Sequence, residues 1–258
     1  MPLPGRCPRR MGPALTVLGP IRFQVEYAME AVKRGTTAVG VRGKDCIVLA
    51  VERKATAKLQ DARTVRKIVS VDEHVCLAFA GLLADARVLV DRARVEAQSY
   101  RLTFDERPSV EHLAQHIAGV QQKYTQSGGM RPFGVAALIL GFDEGGAPRL
   151  FQTDPAGAHS EWKANAIGKG SKTVREWLEK NYKEEEGEDA VHLAVRALIE
   201  VVEPSSKTME VAVVRAGDAG VQVMSQEDLD ALVQAVEAKK AEEAPAAGAS
   251  GGAMQVDS

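Results

Sequence analysis

Residues 135–140 (VAALIL) form an uninterrupted apolar run, and this run constrains the fold more than any other segment. Side chains of a β-strand alternate between its two faces, so a strand made only of apolar residues must be buried on both. The run is far shorter than the roughly 20 apolar residues needed to cross a bilayer. It therefore predicts a central strand with a hydrophobic layer on each side.

The order of the other predicted elements indicates what those layers are. Strands, two helices, strands, two helices and strands follow one another, unlike the alternation of a doubly wound parallel sheet. Two antiparallel sheets packed on each other, with helix pairs over both outer faces, suit this order, and we expect a single α+β domain. The predicted helices are 23–34, 82–94, 110–124, 170–181, 189–202 and one opened by Ser225; the predicted strands are 36–41, 46–52, 65–69, 75–80, 134–141, 149–153, 159–164, 209–215 and 221–224.

Charge and cysteine content exclude several classes of function. The 258 residues carry 33 Lys and Arg against 35 Asp and Glu, a formal charge of −2. A protein that binds a phosphate backbone needs a surplus of basic residues, so a nucleic-acid partner is not expected. The three cysteines, Cys7, Cys46 and Cys76, are far apart and form no C-x-x-C pair, which fits a reducing compartment. Membrane insertion and secretion are not expected either.

Both ends of the chain differ from the middle. Five of the eleven prolines lie in the first twenty residues, and proline at this density blocks helix and strand hydrogen bonds. Residues 244–258 are mainly small or polar, with little to bury. We expect an irregular segment over residues 1–22, a folded domain over 23–241 and a flexible tail over 242–258.

Two histidines offer the first candidate for chemistry. His112 and His116 are four residues apart on a predicted helix, a spacing that could bring two imidazoles to one metal ion. No third ligand has a suitable spacing, and Glu111 precedes the first histidine, so the H-E-x-x-H arrangement is absent. We interpret the pair as boundary histidines of an amphipathic helix.

Residues 168–173 (GKGSKT) lie between a predicted strand and a helix, where a phosphate cradle could form. A Walker loop requires G-x-x-x-x-G-K-[ST], and neither register of this segment fits that pattern. The third glycine of the dinucleotide fingerprint is also missing, because Thr173 occupies its place. A tight strand-to-helix turn is the better interpretation.

A threonine peptidase is the alternative enzymatic hypothesis. Thr36 and Thr37 follow Gly35 and enter a strand, and Lys67 lies in another strand. A threonine at a free N-terminus supplies both a nucleophile and, through its amine, a base, provided that the chain is cut just before it. Residues 23–34 have the pattern of a folded helix, and an intact mass near 27.7 kDa would exclude such a cut.

Several motifs, in order along residues 14–240, resemble those of proteasome alpha-type subunits. Residues 39–43, 58–61 and 162–168 are most similar to the type-7 group of that family. The shared segments are 23–28 (FQVEYA), 30–35 (EAVKRG), 81–87 (GLLADAR), 124–126 (YTQ), 131–135 (RPFGV) and 153–157 (TDPAG).

The resemblance implies the four-layer αββα sandwich of N-terminal-nucleophile hydrolases. It implies a seven-membered ring with other alpha subunits, contact with beta-ring subunits, and a role in ubiquitin-dependent protein degradation in cytoplasm and nucleus. Catalytic beta subunits begin with a threonine, and the matching position here is Gly35, which has no hydroxyl, while Glu52 and Lys67 match the acidic and lysine positions. We therefore expect a non-catalytic structural and gating subunit without catalytic residues, cofactor or metal.

The family also implies a pocket for the C-terminal residues of activators and the regulatory particle. Matching residue by residue places the lysine that pairs with their terminal carboxylate at Lys67, with Gly35 and Leu82 lining the same pocket. A compact ammonium suits a single carboxylate.

The chain departs from the family at its start. Alpha subunits read Tyr-Asp-Arg before the segment that matches residues 14–17, and residues 11–13 (MGP) replace that tripeptide here. In the family those residues order the open gate.

Overall fold

The computed structural model describes residues 14–53, 66–127, 129–183, 187–202, 208–216 and 220–243. Each sheet is built from strands that alternate in direction, and helices follow the strands in groups. The elements are α1 (Ala14–Arg34), β1 (Ala38–Arg42), β2 (Cys46–Glu52), β3 (Ile68–Ser70), β4 (Val75–Gly81), α2 (Leu83–Phe104), α3 (Val110–Gln126), β5 (Val135–Phe142), β6 (Pro148–Thr153), β7 (His159–Glu161), β8 (Ala164–Ile167), α4 (Ser171–Asn181), α5 (Gly187–Ile199), β9 (Met209–Arg215), β10 (Gln222–Val223) and α6 (Gln226–Glu243).

Two five-stranded sheets form the centre of the domain. The first has the order β10-β9-β2-β1-β8 and the second β3-β4-β5-β6-β7. All neighbouring strands pair antiparallel. The predicted pair of antiparallel sheets is confirmed.

Strand β5 shows why the apolar run from 135 to 140 constrains the fold. Val135, Ala137 and Ile139 face the helical layer of α2 and α3, whereas alternate residues Ala136 and Leu138 face the other sheet. The alternation buries both faces, as the sequence predicted.

Helices cover the outer face of each sheet. The second sheet packs against α2 and α3, and the first packs against α4, α5 and α6. Helix α1 instead packs against β4 and β5, and its Val32 reaches the core between the sheets. The layers are therefore helix, sheet, sheet, helix, and in the described part of the chain no helix is long and apolar enough to span a bilayer.

The first helix is longer than the sequence predicted. It begins at Ala14, so the prediction of an irregular segment up to residue 22 is wrong for residues 14–22. Four of the five N-terminal prolines lie at or before Pro13, which directly precedes the helix and does not interrupt it. The prediction treated the first twenty residues as one block, although only Pro20 lies within the helix, where it removes a single backbone donor.

The opposite boundary is close to its prediction. Helix α6 ends at Glu243, two residues beyond the predicted limit at 241. Residues 1–13 and 244–258 lie outside the described residues.

Candidate functional site

Three glycines bring three chain segments into backbone contact at one end of the sandwich. Gly35 follows α1, Gly81 ends β4 and Gly134 precedes β5. A Cβ on Gly35 would overlap the backbone nitrogen of Gly81, and a Cβ on Gly81 would overlap the carbonyl oxygen of Gly134. Gly81 also has a φ of +121°, which residues with side chains rarely adopt. We call this contact the glycine junction.

Leu82 lies at the surface beside the glycine junction. Its backbone N–H donates a hydrogen bond to the Gly134 carbonyl at 3.0 Å. Leu82 is 48% exposed. Its side chain nevertheless packs against Gly134, since a Cβ added to Gly134 would lie only 3.0 Å from Leu82 Cδ1. The junction thus presents one apolar side chain at a fixed position.

Lys67 is bonded to the end of β2. Its Nζ donates a hydrogen bond to the carbonyl oxygen of Glu52 at 2.9 Å. The Glu52 carboxylate accepts the N–H of Thr37 at 2.9 Å, and the Glu52 N–H donates to the Thr37 carbonyl at 2.8 Å. Because Thr37 is two residues after Gly35, these bonds connect Lys67 to the strand that leaves the glycine junction.

A cleft is lined by the sequence neighbours of Lys67 and Leu82. These neighbours are Arg66 and Leu83, and the cleft has a volume of about 300 Å³. That Lys67, Gly35 and Leu82 form one pocket stays a prediction of the resemblance.

The Glu210 carboxyl lies close to Lys67. Burial raises the pKa of the nearby Glu210 carboxyl, and the backbone N–H of Lys67, with the charges of Arg53 and Arg66, opposes that rise. Three cationic side chains thus surround one carboxyl group whose ionised form is disfavoured by burial.

An ion pair with a buried carboxylate and a largely exposed arginine supports the glycine junction. Asp85, at the start of α2, is 7% exposed, and its two oxygens each lie 2.6 Å from a different Nη atom of Arg131. One oxygen also accepts the N–H of Gly134 at 3.0 Å. The hydrogen bonds from Arg131 are the main cause of the lowered pKa of Asp85, with a smaller contribution from Gly134.

Sequence reasoning missed this pair. Asp85 lies in the GLLADAR segment and Arg131 in RPFGV, and both segments contributed to the resemblance without a role for either residue. The only available signal was an acidic residue in the first turn of a helix, which is usually explained by the helix dipole.

The geometry of Thr37 does not favour a nucleophilic role for this residue. Thr37 is fully buried, its hydroxyl donates to the Lys169 carbonyl at 2.5 Å, and its N–H is a peptide group bound by Glu52. Val32 of α1 is part of the core between the sheets, so α1 belongs to the folded domain and is not a detachable leader.

The two histidines of α3 share one carboxylate of α2. His112 Nε2 lies 3.0 Å from one oxygen of Glu96, and His116 Nδ1 lies 3.4 Å from the other. Burial is the main cause of the lowered pKa of His116, and Glu96 opposes that lowering. Over the described ranges, no group of three or more His, Cys, Asp or Glu residues is arranged to hold a metal ion.

The glycine-rich segment before α4 is a tight turn, as predicted. Gly168 and Gly170 both have positive φ, at +90° and +72°. A Cβ on Gly168 would overlap the carbonyl of Thr36, and the Lys169 N–H donates to the Gly35 carbonyl at 2.8 Å. The turn therefore packs against the chain's own backbone, where a phosphate cradle would have to be open.

Comparison with known proteins identifies the family. The model of the family described as "Proteasome subunit" matches residues 32–214. The chain belongs to the proteasome subunit family. It is 58% identical over 229 residues to proteasome subunit alpha type-7 of Dictyostelium discoideum, covering 88% of this chain and 91% of that protein. It is 56% identical to alpha type-7-B of Arabidopsis thaliana, covering 88% and 92%, and 54% identical to alpha type-8 of Mus musculus, covering 89% and 93%.

These proteasome relatives confirm the resemblance, including its type-7 group. The chain is an alpha-ring subunit of the 20S core particle, which assembles with other proteasome subunits, and it is non-catalytic, as the alpha class is. Residues 58–61, which contributed to the type-7 resemblance, lie outside the described residues.

Proposed function

We propose that this alpha subunit docks the free C-terminal carboxylate of proteasome activators, including the regulatory particle, in the pocket of Lys67, Gly35 and Leu82. Through this docking it takes part in gating substrate entry for ubiquitin-dependent degradation. Two observations support the proposal: the Lys67 ammonium is held on Glu52, which bonds the strand that leaves Gly35, and the exposed Leu82 packs at the glycine junction.

The bonding of Lys67 suits this role. The hydrogen bond to the Glu52 carbonyl holds the position of the Lys67 ammonium. Lys67 is half-buried, and partial exclusion of water strengthens a pair between its ammonium and a carboxylate. Leu82 offers apolar contact to the side chain that precedes such a carboxylate.

The same pocket has a direct connection to α1. Gly35 is the residue after that helix, and its N–H donates to the Val32 carbonyl at 2.9 Å. A ligand that shifts Gly35 must therefore act on the last turn of α1, which precedes it. This connection is the basis on which docking would influence the gate.

The experiment uses 20S core particles that contain this chain with Lys67→Ser. We expect activator affinity at this pocket to fall by about tenfold or more, since the ion pair is lost while the fold around it is kept. Lys67→Arg should retain part of the affinity. The matched control is Lys172→Ser, because Lys172 is exposed and pairs loosely with Glu176 at 3.9 Å.

Ring assembly should be the same in all three variants when measured by native gel electrophoresis. Unchanged activator binding by the Lys67→Ser particle would contradict the proposed docking. We further propose that the subunit is present in cytoplasm and nucleus, to be checked by fluorescence microscopy of the tagged chain.

A further inference from the structure

We propose that the Asp85–Arg131 pair, here called the clamp, is a positioning element for the docking pocket. The clamp holds Gly134, and through Gly134 it sets the positions of Leu82 and Gly35. This inference rests on the proposed function, and its experiment distinguishes failure of the clamp from failure of the docking role.

The clamp uses both oxygens of a buried carboxylate. Asp85 Oδ1 accepts from Arg131 Nη2 and Oδ2 accepts from Nη1, each at 2.6 Å. Oδ2 also accepts from the Gly134 N–H at 3.0 Å. A bidentate pair fixes distance and orientation together, so the segment from Arg131 to Gly134 has a defined position relative to the start of α2.

Gly134 connects the clamp to the pocket. Its N–H is held by Asp85, while its carbonyl accepts the Leu82 N–H at 3.0 Å. The Gly134 carbonyl is also the group that leaves no room for a side chain on Gly81, and Gly81 in turn leaves no room for one on Gly35. Each contact is backbone against backbone, so a displacement of Gly134 cannot be absorbed by a side-chain rotation.

Because Arg131 is largely exposed, its ion pair should orient Gly134 while contributing little to the stability of the fold. Arg131 is 66% exposed, whereas Asp85 is 7% exposed. An ion pair with one solvated partner contributes modestly to the free energy of unfolding, but the bidentate geometry still orients Gly134. Removing the Arg131 guanidinium should therefore weaken docking more than it weakens the fold.

The experiment compares 20S core particles that carry Arg131→Gln, Arg131→Lys or Asp85→Asn in this chain. The probe is a synthetic peptide with an activator-type free C-terminal carboxylate and a photo-crosslinking group, and the readout is concentration-dependent labelling of this chain alone. We expect the apparent affinity to fall about tenfold for Arg131→Gln and Asp85→Asn. The loss for Arg131→Lys should be smaller, because lysine keeps the charge but lacks the planar fork.

Arg149→Gln is the matched control. Arg149 also binds carboxylates, those of Asp143 and Glu161, at 3.0 and 2.9 Å. It lies at the start of β6 and takes no part in the contacts of Gly134. We expect it to leave peptide labelling within twofold of the unmodified particle, and assembled particles are isolated by size before every measurement.

The outcomes separate the hypotheses with Lys67→Ser as a reference. If Lys67→Ser loses labelling while the Arg131 and Asp85 variants label normally, the clamp is refuted and the docking role stands. If Lys67→Ser labels normally, the docking role is refuted. Equal losses for Arg131→Gln and Arg149→Gln would indicate general destabilisation and would also overturn the clamp. If particles with Arg131→Gln do not assemble, normal labelling of the Arg131→Lys and Asp85→Asn particles would refute the clamp.

Discussion

The two ends of strand β4 each carry a buried aspartate, and the two aspartates are bonded differently. Asp85, just after the strand, has hydrogen bonds on both oxygens. Asp72, just before it, uses Oδ1 for Arg101 and the Glu73 N–H, both at 2.8 Å. Its Oδ2 is buried without a hydrogen-bond partner in the described structure.

The neighbouring His74 explains why Asp72 Oδ2 lacks a hydrogen-bond partner. His74 Nε2 lies 2.8 Å from the Pro108 carbonyl, and a carbonyl only accepts, so Nε2 carries a hydrogen. In the neutral ring Nδ1 is then an acceptor, and it faces Asp72 Oδ2 at 3.6 Å. Two acceptors without a shared hydrogen do not attract each other.

The comparison shows what complete hydrogen bonding of a buried acid achieves. Around Asp85 both oxygens have a donor, so the position of Gly134 relative to the start of α2 is defined. Around Asp72 one oxygen contributes nothing to geometry, and the burial of that oxygen costs free energy. The proposed docking site is at the fully bonded end.

The largest effect is expected at the glycine junction. Gly81→Ala should lower the free energy of unfolding by about 4 kcal/mol or prevent folding, because it combines a positive φ with backbone overlap at Gly134. Urea unfolding of the purified chain at fixed concentration measures this. The control is Gly119→Ala in α3, where a Cβ meets open space, and where alanine should be neutral or stabilising. Equal stability of the two variants would contradict the role of the junction.

Asp85→Asn should have the next largest effect. The substitution removes the charge of a buried carboxylate and places an N–H donor of the new amide against the Arg131 guanidinium. We expect the free energy of unfolding to fall by about 2 kcal/mol. The same unfolding measurement applies, with Asp91→Asn as control, since Asp91 is 76% exposed. A loss no greater than that of the control would show that the pair is not a structural element.

The stabilisation of the fold by Asp85 should be lost only at acid pH. Its pKa is lower in the folded chain than the ordinary value of 3.8, so its contribution to stability is complete well above that value. The contribution is lost as the pH falls through the folded pKa. The stability difference between unmodified chain and Asp85→Asn should therefore be constant from pH 8 to about 5 and shrink below about 4. A difference that changes mainly between pH 8 and 6 would point to a histidine instead.

Asp72→Asn should have the smallest effect. The amide oxygen can keep the bonds from Arg101 and Glu73, and the amide N–H₂ can donate to Nδ1 of neutral His74. We expect a loss below about 1 kcal/mol, since a lost charge is offset by a new hydrogen bond. If Asp72→Asn destabilises the chain more than Asp85→Asn does, the comparison of the two ends of β4 fails.

Local patterns predicted those parts of the fold that depend on neighbouring residues. The alternation within β5 and the apolar stripe of α3 were readable because one periodicity fixes which side chains share a face. The start of α1 was not, since a proline-rich segment and a helix adjoin there. Lys67, Gly35 and Leu82 came from the resemblance, and no spacing rule would have brought them together.

The clamp shows that the sequence alone does not indicate which distant residues form a pair. Asp85 and Arg131 are 46 residues apart, and neither their spacing nor the residues beside them indicates that they pair. The same holds for Glu52 and Lys67, which meet because the end of β2 lies near the start of β3, although the two strands belong to different sheets.

The sequence by itself determined most of the secondary structure, the two-sheet sandwich and, by resemblance, the family. These follow from periodicity and from motifs within continuous segments. Only the tertiary structure decided that three glycines touch, that Asp85 is fully bonded while Asp72 is not, and that Lys67 points to Glu52. The physical reason is that hydrogen-bond partners and close backbone contacts are set by the packing of distant segments, to which a local pattern is blind.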